Sequence, residues 1–402
     1  MEREDIPRIE ITGVSGNQEE TAPLIANGDY HEANERHVPK DKYYSVFAVF
    51  ALVGMTTLLP WNFFISLNNF WDYKFRDVNK TNSNLSGEKT PPTELQQEFT
   101  SYLAISSTIP NAIFVIINAF YGQRFDLQKR LNISLSVMIV AFTAVTALAF
   151  ANTDNWQRTF LIVTLCLVVI INMNSAIFQG GSFGMAGKFP AKYMSAQMIG
   201  QAVGGVFPAL VDIIIVSLKI KEEDVGAVCF AIATLVLLIC LISLIWVLRT
   251  PFFLYYYEQN PEEAEESSET NEASDENIFK ISWIYLVSIV LTFSITLTIF
   301  PSVAVLVQSE ISNPKSAWAT KYFTPVSVFL LFNFGDLTGR SLASWINMPG
   351  PTTLGKIILL LASVGRLAFI PLFLYCNIVT EKSQGHDPLF QRSQILFLPF
   401  GR

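Results

Sequence analysis

Charged residues are scarce in this sequence. Only 15% of its 402 residues are Asp, Glu, Lys or Arg, whereas soluble domains contain about 25%. The charges are also unevenly distributed, because residues 1–42 carry ten acidic groups and residues 251–280 carry nine. With 51% hydrophobic residues, the remaining chain has the composition of a membrane protein and not of a soluble enzyme.

Histidine and cysteine are also rare. The three histidines, His31, His37 and His386, lie outside every long apolar run, which excludes a histidine proton relay within a membrane. The four cysteines have no CxxC spacing, so neither a disulfide framework nor a zinc site is predicted. HExxH is absent, and no nucleophile lies beside a candidate base in the apolar runs. We therefore expect no enzyme activity, no cofactor, no metal and no nucleic-acid partner.

Long apolar runs are what the sequence does contain. A membrane-spanning helix needs about 20 mostly apolar residues, and nine segments meet that requirement. Seven carry at most one charge: 43–71, 99–121, 131–153, 159–187, 193–218, 225–248 and 281–309. Two further segments carry charges but keep the required length: 322–345, with Asp336 and Arg340, and 357–379, with Arg366. Because lipid offers the backbone no hydrogen-bond partner, all nine are predicted to be helices.

The spans define the organisation of an all-α polytopic membrane protein. We predict a cytosolic disordered tail at 1–42, spans one to six within 43–248, an acidic cytosolic linker at 249–280, spans seven to nine within 281–379, and a non-spanning tail at 380–402. The long linker separates the spans into groups of six and three. Its acidic groups and lack of an apolar face are typical of a solvated connector.

Two patterns predict the orientation of the chain. Asn79 and Asn84 begin glycosylation sequons in the loop between spans one and two, and only an extracytosolic loop could use them. The short linker between spans two and three carries three basic residues between positions 124 and 130, which favours the cytosol. Both patterns place the N-terminus in the cytosol.

Ionisable residues within the spans are functional candidates, because a charge in lipid is costly. Four are present: Asp212, Asp336, Arg340 and Arg366. Asp336 and Arg340 share a helical face with Asn333, at spacings of three and four. Two interpretations of this pair stay open: it neutralises itself and fixes span eight, or it lines a cavity and binds a polar, uncharged solute. Arg366 is favoured as structural, and Asp212 is left unassigned.

Span one is interrupted by a proline within the sequence LLPWNFF, residues 58–64. Interrupted helices are where transporters place binding sites, because the freed carbonyls need a polar cavity to face. Trp61 and Asn62 follow this proline directly. In span four, Gln179 carries an amide that can both donate to and accept from a base or a sugar.

Two glycine pairs predict close helix contacts. Gly180 with Gly184, and Gly200 with Gly204, lie four residues apart and give small faces on spans four and five. Such faces let helix backbones approach closely.

Together these motifs resemble the equilibrative nucleoside transporter family. The residues that carry the resemblance are, in chain order, LLPWNFF at 58–64, QGGSFGMAG at 179–187, Phe300-Pro301, NFGDLTGR at 333–340, Arg366-Leu367 and Asn377. The resemblance implies facilitated, bidirectional movement of nucleosides such as uridine and adenosine across a lipid bilayer. It also implies a major-facilitator-like fold with alternating access, here a six-helix bundle plus an incomplete second bundle.

The resemblance further implies roles for single residues. Gln179 would bond the nucleobase, and Asp336 with Arg340 would hold the ribose hydroxyls. The residues that would line or flank the substrate cavity are Leu58, Trp61, Asn62, Phe300, Pro301 and Asn333, with Ile65, Thr108 and Asn111 as further candidates.

The family has eleven spans, whereas nine are predicted here. The sequence therefore implies a C-terminally truncated form whose transport is impaired by the absence of two spans. Two other functions stay open. One is a non-transporting truncated isoform that regulates a full-length partner, and the other is a sodium- or proton-coupled nucleoside carrier.

The cellular location is predicted to be the plasma membrane. Glu20, four residues before Leu24-Ile25, fits an acidic dileucine sorting signal, which would direct the protein to endosomal or lysosomal membranes. An ordinary solvated tail is the favoured interpretation of this segment.

Overall fold

The computed structural model describes residues 39–78, 93–258, 272–301, 303–307, 309, 316–346, 352–374 and 376. Several predicted features lie outside these residues: the sequons at Asn79 and Asn84, the sorting motif at Glu20, Leu24 and Ile25, the motif residue Asn377, the tail at 380–402 and most of the tail at 1–42.

The described chain is built from helices, which confirms the predicted all-α class. They are α1 (Ser45–Ser66), α2 (Asn68–Lys74), α3 (Glu94–Tyr121), α4 (Leu127–Phe150), α5 (Gln157–Gly187), α6 (Ala191–Ser217), α7 (Glu222–Val247), α8 (Pro251–Glu258), α9 (Glu272–Ile299), α10 (Leu331–Trp345), α11 (Thr353–Gly365) and α12 (Phe369–Leu374). Among the described residues, eight helical segments are long and apolar enough to cross a membrane. They confirm a polytopic membrane protein.

Eight of the nine predicted spans correspond to these helices. The segment missing from the eight is 322–345, although its residues are helical. Its first part is wound as π-helix at Trp318–Tyr322 and Thr324–Leu330, and the α-helix that follows has only 15 residues. Pro325 lies in this stretch and has no amide hydrogen to donate. Wide π turns are frequent at functional sites.

The predicted linker at 249–280 is helical at both ends, since α8 lies within it and α9 begins at Glu272. Residues Pro251–Glu258 form helix α8, and Phe252 and Phe253 are buried against the ring of Phe189, with centroids 6.2 and 5.1 Å away. Burying two aromatic rings stabilises this helix by several kcal/mol on the usual scale of about 1.5–3 kcal/mol per large apolar side chain. Acidic residues dominate the segment and predict a solvated connector, but the aromatic run at 252–257 precedes them and accounts for the buried helix.

Helices α1 and α6 pack against each other more extensively than any other pair in the described chain. Glycines make this contact possible, because a Cβ atom at Gly200 would collide with the Ala51 carbonyl oxygen and one at Gly204 with the Met55 carbonyl oxygen. The predicted close contact at Gly200 and Gly204 is therefore confirmed. It is not found at Gly184, where a Cβ atom would meet no atom within 4 Å.

Helix α6 also joins the two groups of spans. Its other face packs against α10 and the π-helical turns that precede α10. A Cβ atom at Gly205 would collide with the side-chain oxygen of Asn333, so α6 and α10 approach closely at that level. In the second group, α9 packs against α11.

Aromatic residues close the bundle where α1 ends. Trp71 on α2 packs against Phe64, Phe99 and Phe230, with ring centroids 6.0, 4.6 and 6.0 Å away. Its indole nitrogen donates to the Phe64 carbonyl at 3.0 Å. The α2 segment is therefore held against α1, α3 and α7 together.

Candidate functional site

Asp336 and Arg340 form an ion pair on α10. Both carboxylate oxygens accept from the Arg340 Nε, at 3.0 Å each. The side chains are 35% and 25% exposed, so protein covers each of them only in part. The spacing of four residues places them one helical turn apart with the acid toward the N-terminus, which is the favourable order.

The guanidinium group has a second contact on another helix. Its Nη1 donates to the Gln201 side-chain oxygen on α6 at 3.1 Å. The Gln201 amide nitrogen in turn donates to the Thr57 hydroxyl on α1 at 3.1 Å, and that hydroxyl donates to the Gly54 carbonyl at 2.7 Å. A continuous hydrogen-bonded path therefore links α10 to α6 and α1.

Helix α5 also bonds to Thr57 of α1. The Ser175 hydroxyl donates to the Thr57 carbonyl at 2.9 Å. Gln179 lies one turn further along α5, on the same face as Ser175. Its side chain is half-buried and forms no hydrogen bond with another residue of the described chain. Its amide is thus available to a ligand.

A second glutamine on α6 connects to the Gln179 backbone. The Gln197 amide nitrogen donates to the Ser182 hydroxyl at 2.7 Å, and that hydroxyl donates to the Gln179 carbonyl at 2.8 Å. Gln197 is fully buried, and its side-chain oxygen has no partner among the described residues. Two glutamines one turn apart on α6 therefore connect to two predicted site residues. Gln197 reaches the Gln179 backbone through Ser182, and Gln201 bonds Arg340 directly.

The predicted residues of span one lie on α1 beside Thr57. Leu58 and Trp61 are half-buried and Asn62 is buried. The Asn62 amide donates to the Leu58 carbonyl at 3.0 Å. The accepting carbonyl, that of Leu58, lies in the helical turn that contains Pro60. Ile65 is buried in the apolar core, so it is packing rather than accessible surface.

The remaining predicted residues flank the pair from the second group. Asn333 is buried, and its amide donates to the Phe329 carbonyl at 2.8 Å. Phe300 is buried and stacks on Phe332, with centroids 3.7 Å apart and planes 8° from parallel. Pro301 follows it and is half-buried. These contacts place Phe300 at the beginning of α10.

Four other candidates are placed elsewhere. Thr108 is exposed and Asn111 half-buried on α3, which packs against α5. The Arg366 Nη1 donates to the Thr296 hydroxyl at 3.4 Å, consistent with its favoured structural role. Asp212 is buried on α6, near the Cys229 thiol of α7.

Gln201 and Thr57 were missed by the sequence reading. Both are uncharged and neither breaks its helix, so neither carries the sequence signal of an ionisable group or a helix break. The available signal was the pair Gln197 and Gln201, two amides on one face of a predicted span. Buried amides need partners, so such a pair indicates a polar junction between helices.

Partly exposed polar residues between two groups of membrane helices, beside an irregular helix, are typical of the binding sites of secondary transporters. Comparison with known proteins identifies the kind. Residues 163–401 match the sequence profile of the nucleoside transporter family. The chain is 30% identical over 359 residues to equilibrative nucleoside transporter 3 of Rattus norvegicus, covering 84% of this chain and 74% of the relative.

Two further relatives extend the comparison. Equilibrative nucleoside transporter 1 of Homo sapiens is 30% identical over 383 residues, covering 85% of this chain and 82% of the relative. Equilibrative nucleotide transporter 1 of Arabidopsis thaliana is 25% identical over 380 residues, covering 91% of this chain and 76% of the relative. The chain belongs to the nucleoside transporter family, which confirms the resemblance. This is a family of transporters and not of enzymes, as the sequence predicts.

Proposed function

We propose that this chain moves nucleosides such as uridine and adenosine across a membrane by facilitated, bidirectional transport. The observation that carries the proposal is the Asp336–Arg340 pair, which is partly exposed and hydrogen-bonded across to α6. A ribose presents two adjacent hydroxyls, each able to donate and accept. A carboxylate can accept from one while a guanidinium donates to the other, and both bonds are charge-assisted.

The other predicted residues fit around this pair. Gln179 would bond the nucleobase, because its amide has both a donor and an acceptor and no other described partner. Leu58, Trp61 and Asn62 would form the wall on α1. Phe300, Pro301 and Asn333 would flank the ribose from the second group. The membership in a nucleoside transporter family supports the choice of substrate.

Uptake of labelled uridine into cells that lack their own nucleoside transport tests the function. We expect saturable uptake that stops at equal concentrations inside and outside, and efflux from preloaded cells at a similar rate. Asp336→Asn should abolish most of the uptake. Thr338→Val is the matched control, because Thr338 is an exposed residue of the same helix whose hydroxyl bonds only the Phe334 carbonyl at 2.8 Å.

Two results would contradict the proposal. Absence of uridine and adenosine uptake by correctly inserted protein would refute transport by this chain. Accumulation above the outside concentration, driven by an imposed proton or sodium gradient, would refute the facilitated mechanism and indicate a coupled carrier.

We also propose the plasma membrane as the location of this multi-pass protein. The acidic dileucine motif of Glu20, Leu24 and Ile25 is the feature that could direct it to endosomes or lysosomes instead. A fluorescent fusion compared with its Leu24→Ala, Ile25→Ala variant tests this. Plasma-membrane fluorescence in both supports the proposal, whereas intracellular fluorescence that moves to the cell surface in the variant would refute it.

A further inference from the structure

We propose that Gln201 is a positioning residue for the substrate, because it fixes the plane of the Arg340 guanidinium group in the orientation that binds a ribose. The inference rests on the proposed function and deepens it. It adds a residue of α6 to a site that otherwise consists of residues on α1, α5 and the second group of spans.

The orientation of the Gln201 amide follows from its neighbours. An arginine nitrogen can only donate, so the atom facing Arg340 Nη1 must be the amide oxygen. The Thr57 hydroxyl donates its single hydrogen to the Gly54 carbonyl, so it must accept from the Gln201 nitrogen. Gln201 is 4% exposed and Thr57 is 3% exposed. Both are therefore shielded from water that could replace these bonds.

Two partners on different helices hold the guanidinium group. Asp336 accepts from Nε, and Gln201 accepts from Nη1. Nη2 forms no hydrogen bond with another residue of the described chain. With two of its nitrogens fixed, the planar group presents Nη2 in one direction. We infer that this nitrogen is the one offered to a ribose hydroxyl.

Loss of Gln201 would leave the guanidinium group with one partner on its own helix. The group could then rotate about its bonds, and part of the substrate's binding energy would be spent on ordering it. Substrate affinity should fall, while the capacity of the bundle to change conformation depends on other contacts. The expected signature is therefore a raised KM with a maximal rate that changes little.

Gln201→Met tests this, because methionine has a similar length and no hydrogen-bonding amide. We expect KM for uridine to rise roughly tenfold, the upper end of the cost of ordering one flexible side chain on binding. The maximal rate per transporter at the cell surface should stay within about twofold. Asn172→Leu is the matched control, since Asn172 is a buried amide on α5 whose only hydrogen bond within the described chain is to the Val168 carbonyl of its own helix.

Thr57 provides a second, independent test. Thr57→Val removes the acceptor of the Gln201 nitrogen at nearly constant volume, and we expect KM to rise by roughly threefold. Thr57→Ser keeps the hydroxyl and should restore the wild-type KM. If Gln201→Met does not reach the membrane, this pair decides the question, and equal KM values for Val and Ser would overturn the proposal.

Ligand-dependent stability separates positioning from simple packing. In detergent, uridine should raise the melting temperature of the wild-type protein and of Asn172→Leu, and raise that of Gln201→Met much less. Wild-type uptake with unchanged KM and unchanged uridine stabilisation in Gln201→Met would overturn the role of Gln201 alone. Absence of uptake and of uridine stabilisation in the wild type would instead overturn the proposed function.

Discussion

Asp336 accepts from the Nε of Arg340 with both carboxylate oxygens, at 3.0 Å each. This geometry occupies one nitrogen of the guanidinium group and leaves the other two directed away from the carboxylate. A pair that served only to neutralise its own charges would gain most from bonds at two nitrogens. The Nη1 bond to Gln201 holds α10 against α6, as the structural interpretation expects. Nη2 has no hydrogen-bond partner among the described residues, as the proposed substrate-binding role requires.

Arg340→Lys is predicted to remove most of the transport. Lysine keeps the charge but replaces the planar group by a single ammonium, which cannot bond Asp336, Gln201 and a substrate in fixed directions. We expect KM for uridine to rise at least tenfold, since hydrogen bonds to charged groups contribute about 1.5–3 kcal/mol each. Concentration-dependent uptake in parallel with surface labelling measures it. A lysine variant with wild-type KM would show that charge alone is sufficient.

Gly200→Ala is predicted to destabilise the bundle. The added methyl would collide with the Ala51 carbonyl oxygen of α1, and overpacking of this kind costs about 1–3 kcal/mol. Gly184→Ala is the matched control, because its methyl would meet open space. Melting in detergent should show a clear fall for the first variant and little change for the second. Equal melting temperatures would mean that α1 and α6 separate easily.

The sequence predicted the existence of the helices well, because an apolar run of sufficient length must be helical in lipid. It could not predict their winding. Hydropathy does not depend on whether a turn is α or π, so it could not predict the π-helical stretch at Thr324–Leu330. Nor could it distinguish Gly184 from Gly204, since each lies four residues after another glycine, Gly180 or Gly200. Which helix lies opposite a glycine is decided by tertiary packing.

The same limit applies to the site. Asp336 and Arg340 could be found because charges are rare in apolar runs and their spacing shows that they share a face. Gln201 could not be found in that way, since it is uncharged and its partners, Arg340 and Thr57, are far from it in sequence. Contacts between distant segments are the part of a site that a single sequence leaves out.

Glycosylation at Asn79 or Asn84 is predicted from the sequence orientation. An endoglycosidase should increase the electrophoretic mobility of the wild-type protein expressed in eukaryotic cells, and Asn79→Gln combined with Asn84→Gln should remove that effect. A wild-type protein that is insensitive to the enzyme, but gains sensitivity when a sequon is introduced between spans two and three, would reverse the predicted orientation.

Lys74 gives the fold a predictable pH dependence. Its side chain is buried at the end of α2, where Nζ donates to the Ala151 carbonyl at 2.8 Å and lies 5.6 Å from the centre of the Phe70 ring. Burial, with a smaller contribution from nearby Arg76, lowers the pKa of Lys74 below its ordinary value of 10.5. The surrounding acids, Asp154, Glu223 and Asp224, oppose this shift without cancelling it.

The sign follows from proton linkage. Between the lowered pKa of the folded state and 10.5, the unfolded chain holds the Lys74 proton more tightly than the folded one. Stability therefore rises with pH in that window and is constant below it. Burial also raises the pKa of the neighbouring Tyr73 above 10.0, so its hydroxyl stays protonated over most of the same range.

The measurement compares wild type with Lys74→Met in detergent at pH 7.5 and pH 10. We expect the melting temperature of the wild type to rise relative to that of the variant as the pH rises. Only the wild type has a buried cation that loses its charge by deprotonation. Lys221→Met is the control, since the Lys221 side chain is 78% exposed and its removal should leave the pH dependence unchanged. If the melting temperature of the wild type minus that of Lys74→Met stays constant or falls as the pH rises, Lys74 is solvated at the end of α2.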